Sequence, residues 1–151
     1  MHRRTFIAAL AATPFIRPAF AEEPEWQTRL ITTTVDGQQI YGLHIKLATG
    51  WKTYWRVPGE AGIPPLIKLE GTGIGSVVID YPLPIRIIDE SGEAIGYHDE
   101  VVFILRPAPA VKDAKLSAFF GVCKNICRPA KFEASLAEAV SDDSTMQKFI
   151  G

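Results

Sequence analysis

Apolar residues recur at every second position through most of this chain, and that period is what most limits the folds open to it. A period of two sends alternate side chains to opposite faces of a strand, whereas a helix repeats about every 3.6 residues. In Gln39 to Leu47, Tyr41, Leu43, Ile45 and Leu47 share one face while Ile40, Gly42, His44 and Lys46 share the other, so one face is expected to be core. The same pattern predicts strands over Arg29 to Val35, Leu66 to Leu69, Val77 to Asp80, Ile85 to Ile88, Val101 to Arg106, Leu116 to Val122 and Lys131 to Leu136. Turn formers separate them at Gly50, Pro58-Gly59, Gly62, Pro64-Pro65, Gly71, Gly73, Gly75, Pro82, Pro84, Gly92, Gly96, Pro107 and Pro109. About eight short strands at this spacing predict an all-β chain, an antiparallel two-sheet sandwich of immunoglobulin-like type. Leu136 to Val140 and onward to Phe149 offers only a weak helical or frayed tail. The glycines at 71, 73 and 75 precede no helical pattern, so they read as loop rather than as a phosphate cradle.

Residues 1–21 have the make-up of a cleavable export signal. Arg3 and Arg4 lead into the apolar Phe6 to Phe15 stretch, and Ala19-Phe20-Ala21 forms a small-x-small cleavage site. Arg3-Arg4-Thr5-Phe6 resembles the twin-arginine export pattern, with His2 where that pattern has Ser or Thr, and an ordinary secretory signal fits as well. No later run approaches the roughly 20 apolar residues of a spanning helix, so a soluble periplasmic protein is expected. Removal of the signal takes away Arg3, Arg4 and Arg17 and no acid, which leaves 13 basic against 17 acidic residues, a net charge of −4. Such a balance argues against a nucleic-acid partner. Residues 22–151 fit one domain, long enough to bury a core without covalent staples.

Against that background the two cysteines, Cys123 and Cys127, stand out. They lie in Cys123-Lys124-Asn125-Ile126-Cys127-Arg128-Pro129, in the turn joining two predicted neighbouring strands. A disulfide is the default for an exported pair. Closing a five-residue loop restricts the unfolded chain by only about 2 kcal/mol, against roughly 4 to 5 for a loop of a hundred residues, so this bridge would be a poor staple. Lys124, Arg128 and Lys131 crowd the pair in sequence, and nearby cations stabilise the thiolate that attacks disulfides. The placement points to thiol-disulfide exchange.

Three segments then carry a resemblance. Gly50-Trp51-Lys52-Thr53-Tyr54-Trp55-Arg56-Val57-Pro58-Gly59-Glu60-Ala61-Gly62-Ile63-Pro64-Pro65, followed by Gly96-Tyr97-His98-Asp99-Glu100-Val101 and by Cys123 to Pro129, resembles the N-terminal domain of the thiol:disulfide interchange protein DsbD and, more closely, the related ScsB proteins. The resemblance implies an immunoglobulin-like sandwich acting as a protein-disulfide reductase or electron relay. It would take electrons from a membrane-linked thioredoxin-like donor and pass them to oxidised periplasmic client proteins, with no cofactor. It also implies that Cys127 is the interchange cysteine and Cys123 its resolving mate. The cysteine spacing here is shorter than in the DsbD domain. The sequence carries neither the membrane module nor the C-terminal thioredoxin module, so a separate donor is expected. The cap that shields the bridge in that family would fall near Asp89 to Tyr97, where Ile95 and Tyr97 are the candidates, with His98 a further partner contact.

Two other readings stand beside this one. The C-x-x-x-C spacing with a following proline also resembles Sco-type copper proteins, and soft thiolates select Cu(I), with His98 or His44 completing a site with Cys123 and Cys127. Against it, Arg128 separates Cys127 from Pro129, and the strand-rich pattern lacks that fold's helices. The third is a plain sandwich serving as an interaction module. A lone histidine is more often an ordinary polar residue than a ligand, and Trp51, Tyr54 and Trp55 beside a Pro-Gly turn read first as packing. Replacing both cysteines by Ser should therefore leave a cooperatively folding protein, at a cost of about 2 kcal/mol or less in urea unfolding. Loss of the transition would mark the bridge as a staple.

Overall fold

The computed structural model describes residues 24–72, 77–107, 111 and 113–150. The expected export signal, glycines 73 and 75 and Pro109 lie outside them. The strands are β1 (Trp26–Val35), β2 (Gln38–Leu47), β3 (Lys52–Tyr54), β4 (Leu66–Gly71), β5 (Val78–Asp80), β6 (Ile85–Asp89), β7 (Gly92–His98), β8 (Glu100–Arg106), β9 (Ala114–Cys123), β10 (Cys127–Ser135) and β11 (Val140–Ser141), followed by a short helix α1 (Asp143–Gln147). One sheet has the order β11-β1-β2-β8-β5 and the other β10-β9-β3-β7-β6, with β4 paired to β9. All pairings are antiparallel except β1 with β11. The chain is thus the expected immunoglobulin-like sandwich of two sheets. Among the described residues no helix is long and apolar enough to cross a membrane.

Every predicted strand is present, within a few residues at its ends. Asp36-Gly37, both at positive φ (50° and 77°), makes the tight β1–β2 turn and fixes the register that pairs Val35 with Gln38. Leu30, Leu43, Ile45, Phe103, Leu105, Leu116, Phe120 and Val122 fill the space between the sheets. Each such side chain contributes roughly 1.5–3 kcal/mol by leaving water.

The second face of β2 departs from expectation. Ile40, Gly42 and His44 are buried as well, because Ile31, Ile40, Val102 and Ile104 form a smaller core on the outer side of the first sheet. The tail read as weakly helical or frayed is what covers it. It passes through a short 3₁₀ turn, Leu136–Glu138, capped reciprocally by Ser135 and Glu138, and adds β11 beside β1. Asp142 then caps α1 and seats Met146, fully buried, on that core. A Cβ at Gly42 would stand 2.5 Å from the Met146 sulfur and 2.6 Å from the Val102 side chain, so the glycine lets Met146 settle on this face. Polar ties fasten the helix: Arg29 to Asp142 at 2.9 Å, Lys148 to Glu100 at 3.1 Å, and the Thr33 hydroxyl donating to Asp143 at 2.6 Å. Between them lies His44, which accepts from Arg29 on Nδ1 (3.1 Å) and therefore donates from Nε2 to Glu100 (2.9 Å).

Two strands, β3 and β7, are not among those the alternation predicts. Gly92 and Gly96 break the apolar pattern of β7, yet Gly96 is what lets it approach β3, since a Cβ there would stand 2.1 Å from the Thr53 carbonyl oxygen. Met146→Ala should lower stability by about 2–4 kcal/mol in urea unfolding, because it empties the outer core without touching the cysteines. A loss under about 1 kcal/mol would show that the tail does not hold this face.

Candidate functional site

The cysteines close a hairpin. Cys123 ends β9, Cys127 begins β10, and the two are partners in the strand register, joined by a disulfide. Lys124, Asn125 and Ile126 make the tip, where the Lys124 N–H donates to the Ile126 carbonyl at 3.0 Å. Alternation along β9 sends Val122 into the inter-sheet core and Cys123 to the outer face. Burial splits the pair: Cys123 is 1% exposed, while Cys127 is exposed at the surface.

Cys123 is covered by the aromatic Pro-Gly segment. Tyr54, Ala94 and Cys123 form a small apolar cluster with Ile63 packed against it. After β3 the Trp55 N–H donates to the Ile95 carbonyl (3.0 Å) and the Ile95 N–H to the Pro58 carbonyl (2.9 Å). The chain then turns at Gly59, at φ 81°, and crosses the outer face before β4 rejoins β9. A Cβ at Gly121 would lie 3.0 Å from Ile63, so the glycine lets the segment lie down on the strand. Tyr54, 1% exposed, points its hydroxyl at the Cys127 sulfur, 3.9 Å away. A disulfide sulfur has no proton, so the hydroxyl donates. Burial, and then the Asp89 charge, raise the pKa of Tyr54 and keep it a donor. Trp51 and Trp55 pack on the main core, and the Arg56 guanidinium lies over the Trp55 ring, 5.1 Å from its centroid.

The residues expected to cap the bridge sit elsewhere. Tyr97 is buried on the inner side of β7, its hydroxyl donating to the Pro82 carbonyl at 2.8 Å and its ring edge-on to Phe103. Alternation puts Ile95 on the same inner side, away from the bridge. His98 shares the outer face and stands opposite Lys52, with its ring Nδ1–H donating to the Trp51 carbonyl at 3.2 Å. One strand separates it from β9, a distance of about 10 Å. His44 lies on the other sheet. Among the described residues no three His, Cys, Asp or Glu side chains gather as a metal site.

The three sequence-adjacent cations are likewise spread apart. Arg128 takes the face opposite Cys127 and pairs with Glu25 at 3.1 Å. Lys131 shares the face of Cys127 but lies four positions along β10, about 13 Å away. Lys124 is exposed, with its stem against Gly50. Another cation comes to the pair from far along the chain. Lys52 stands directly opposite Cys123 in the β3–β9 register, with its side chain 2% exposed. Its ammonium donates to the Asp89 carboxylate and to the Ser91 hydroxyl (3.0 Å). The bond from Lys52, and after it those from Ser91, hold the Asp89 carboxyl down at about 2. The signal in the sequence was an ionisable residue inside the aromatic run Trp51-Lys52-Thr53-Tyr54-Trp55. Asp89, Glu90 and Ser91 face Gly50, Lys124 and Asn125 across an open cleft of about 550 Å³ beside the hairpin tip.

Asp89 titrates lower in the fold than its ordinary 3.8, so the stabilisation from its charge is complete above that value and is lost as the pH falls through about 2. In urea unfolding across pH, the gap between the wild type and Asp89→Asn should hold steady above about pH 4 and close near pH 2. A gap independent of pH would show that the carboxylate charge is not what holds Lys52.

The family model described as thiol:disulfide interchange protein DsbD, N-terminal, matches residues 21–139. Among solved structures, the N-terminal periplasmic domain of ScsB from Proteus mirabilis is similar at 26% identity and a TM-score of 0.66, over 85% of this chain and 53% of that one. This chain therefore spans about half the length of that relative. The reduced DsbD N-terminal domain of Neisseria meningitidis matches at 16% identity and a TM-score of 0.45, over 72% of this chain and 82% of that one. No curated protein sequence matches.

Proposed function

This chain belongs to the family of N-terminal domains of the thiol:disulfide interchange protein DsbD, and from that premise we propose that it is a periplasmic electron relay, a protein-disulfide reductase in type, working through Cys123 and Cys127. The observation that carries the reading is the asymmetry of the bridge, with Cys127 open to solvent and Cys123 buried beneath Tyr54 and Ile63. An incoming thiolate reaches only the outer sulfur.

A membrane-linked, thioredoxin-like donor attacks Cys127 with one thiolate. The Cys123–Cys127 bond breaks, a mixed disulfide forms between donor and Cys127, and the bonding pair leaves on Cys123. The donor's second thiolate attacks its own sulfur in the mixed bond and releases Cys127 as a thiolate. The donor dithiol is now a disulfide, and two electrons have passed to the cysteine pair. Cys127 then attacks the bridge of an oxidised periplasmic client, and Cys123 displaces the client thiolate to restore the starting bond. Tyr54 donates to the Cys127 sulfur and stabilises it whenever it carries charge. Ile126, 58% exposed at the tip, offers a partner an apolar contact beside the reacting sulfur. The sulfurs carry the electrons, and no cofactor enters.

Two measurements test this. The bridge should have a reduction potential well above the roughly −300 mV below which structural disulfides lie, and a value at or below that sinks the reading. Cys123→Ser, incubated with an oxidised thioredoxin-like protein, should accumulate a mixed disulfide on non-reducing gels, while Cys127→Ser should accumulate little. Equal trapping, or trapping only through Cys123, would reverse the roles.

A further inference from the structure

Lys52 takes no part in the exchange as described so far. It is the one buried lysine among the described residues. Strand register aligns Lys52, Cys123 and Cys127 in a single row across β3, β9 and β10 on the outer face. Directly opposed positions have their Cβ atoms about 5 Å apart, so the lysine stem leaves the sheet beside the buried sulfur. The other charged or titratable groups around this row are few. Tyr54 lies on β3, and Asp89 on the β6–β7 turn binds the lysine with Ser91. Glu90 lines the cleft beyond, His98 on β7 is tied to the Trp51 carbonyl, and Lys124 lies exposed over Gly50. Arg128 faces the other way, toward Glu25.

A sulfur buried as deeply as Cys123 resists ionisation, because burial disfavours the charged form. It is nevertheless the sulfur that must leave as an anion when Cys127 is attacked. We propose that Lys52 gives the bridge its polarity, accepting beside it the negative charge that appears on Cys123 as the bond to Cys127 breaks. This rests on the exchange reading of the pair. In that step one S–S bond forms at Cys127, one breaks, the electron pair goes to Cys123, and no proton moves. The better-stabilised thiolate leaves faster, so attack at Cys127 is favoured electrostatically as well as by access. Asp89 opposes the effect, since it neutralises the same ammonium while the bridge is closed. Its charge and that of Cys123 thus compete for one cation.

The competition makes the test two-sided. In the reduced protein, each cysteine's alkylation by iodoacetamide is followed from about pH 5 to 10 by mass spectrometry. In the oxidised protein, glutathione attack is timed and its adduct located. Lys52→Met should move the Cys123 midpoint up by about one pH unit or more and slow attack at Cys127 about tenfold. Asp89→Asn should move the Cys123 midpoint down. A structural tie alone would move both variants the same way, and that result overturns the proposal. So does an unmoved Cys123 profile in a bridge that still exchanges with glutathione, which would leave the exchange reading standing. A wild-type bridge inert to glutathione overturns the exchange reading and the polarity with it.

Discussion

Strand β9 carries the sandwich core on one face and the bridge on the other, and everything else in the molecule is arranged around that alternation. Leu116, Ala118, Phe120 and Val122 point inward, and the next residue, Cys123, must then point outward. A slip of one residue would exchange the two sets, so the inter-sheet packing that fixes the register of β9 also fixes which way the sulfur faces. The hydrophobic core orients the redox pair without touching it.

The outer face would be an ordinary solvated sheet surface were it not for the segment between β3 and β4. Both strands use the same edge of β9, and the residues between them must leave the sheet and return. They cross the face that holds Cys123. Gly62 and Gly121 make room, for a side chain on either would meet Tyr54 or Ile63. One cysteine is thereby covered and its partner left open, which is an asymmetry a symmetric hairpin could not produce alone.

The sandwich was legible in the sequence because period-two alternation is a local property, and the hairpin position of the cysteines followed from the runs on either side of them. Their surroundings were not legible. Lys124, Arg128 and Lys131 are close along the chain, but the pleat turns Arg128 to the other face and the strand rise carries Lys131 away. Lys52, Tyr54 and Asp89 are far along the chain and come to the bridge through pairings that local pattern does not encode. β7 was hidden for a related reason: its glycines look like breaks until the strand they admit is in view. In the aromatic Gly-Trp to Pro-Pro segment the indoles are packing, while the tyrosine between them reaches the sulfur.

Another consequence follows from β11 lying parallel to β1 with α1 behind it. The first described strand gains its outer neighbour from Val140 and Ser141, so its edge and the apolar side of Ile31 and Ile40 stay bare until that segment arrives. During synthesis, residue by residue, a nascent chain can form the β1–β2 hairpin early but cannot seal it. The segment after β10 is therefore the last piece to close the sandwich, and the hairpin keeps an open edge until it docks.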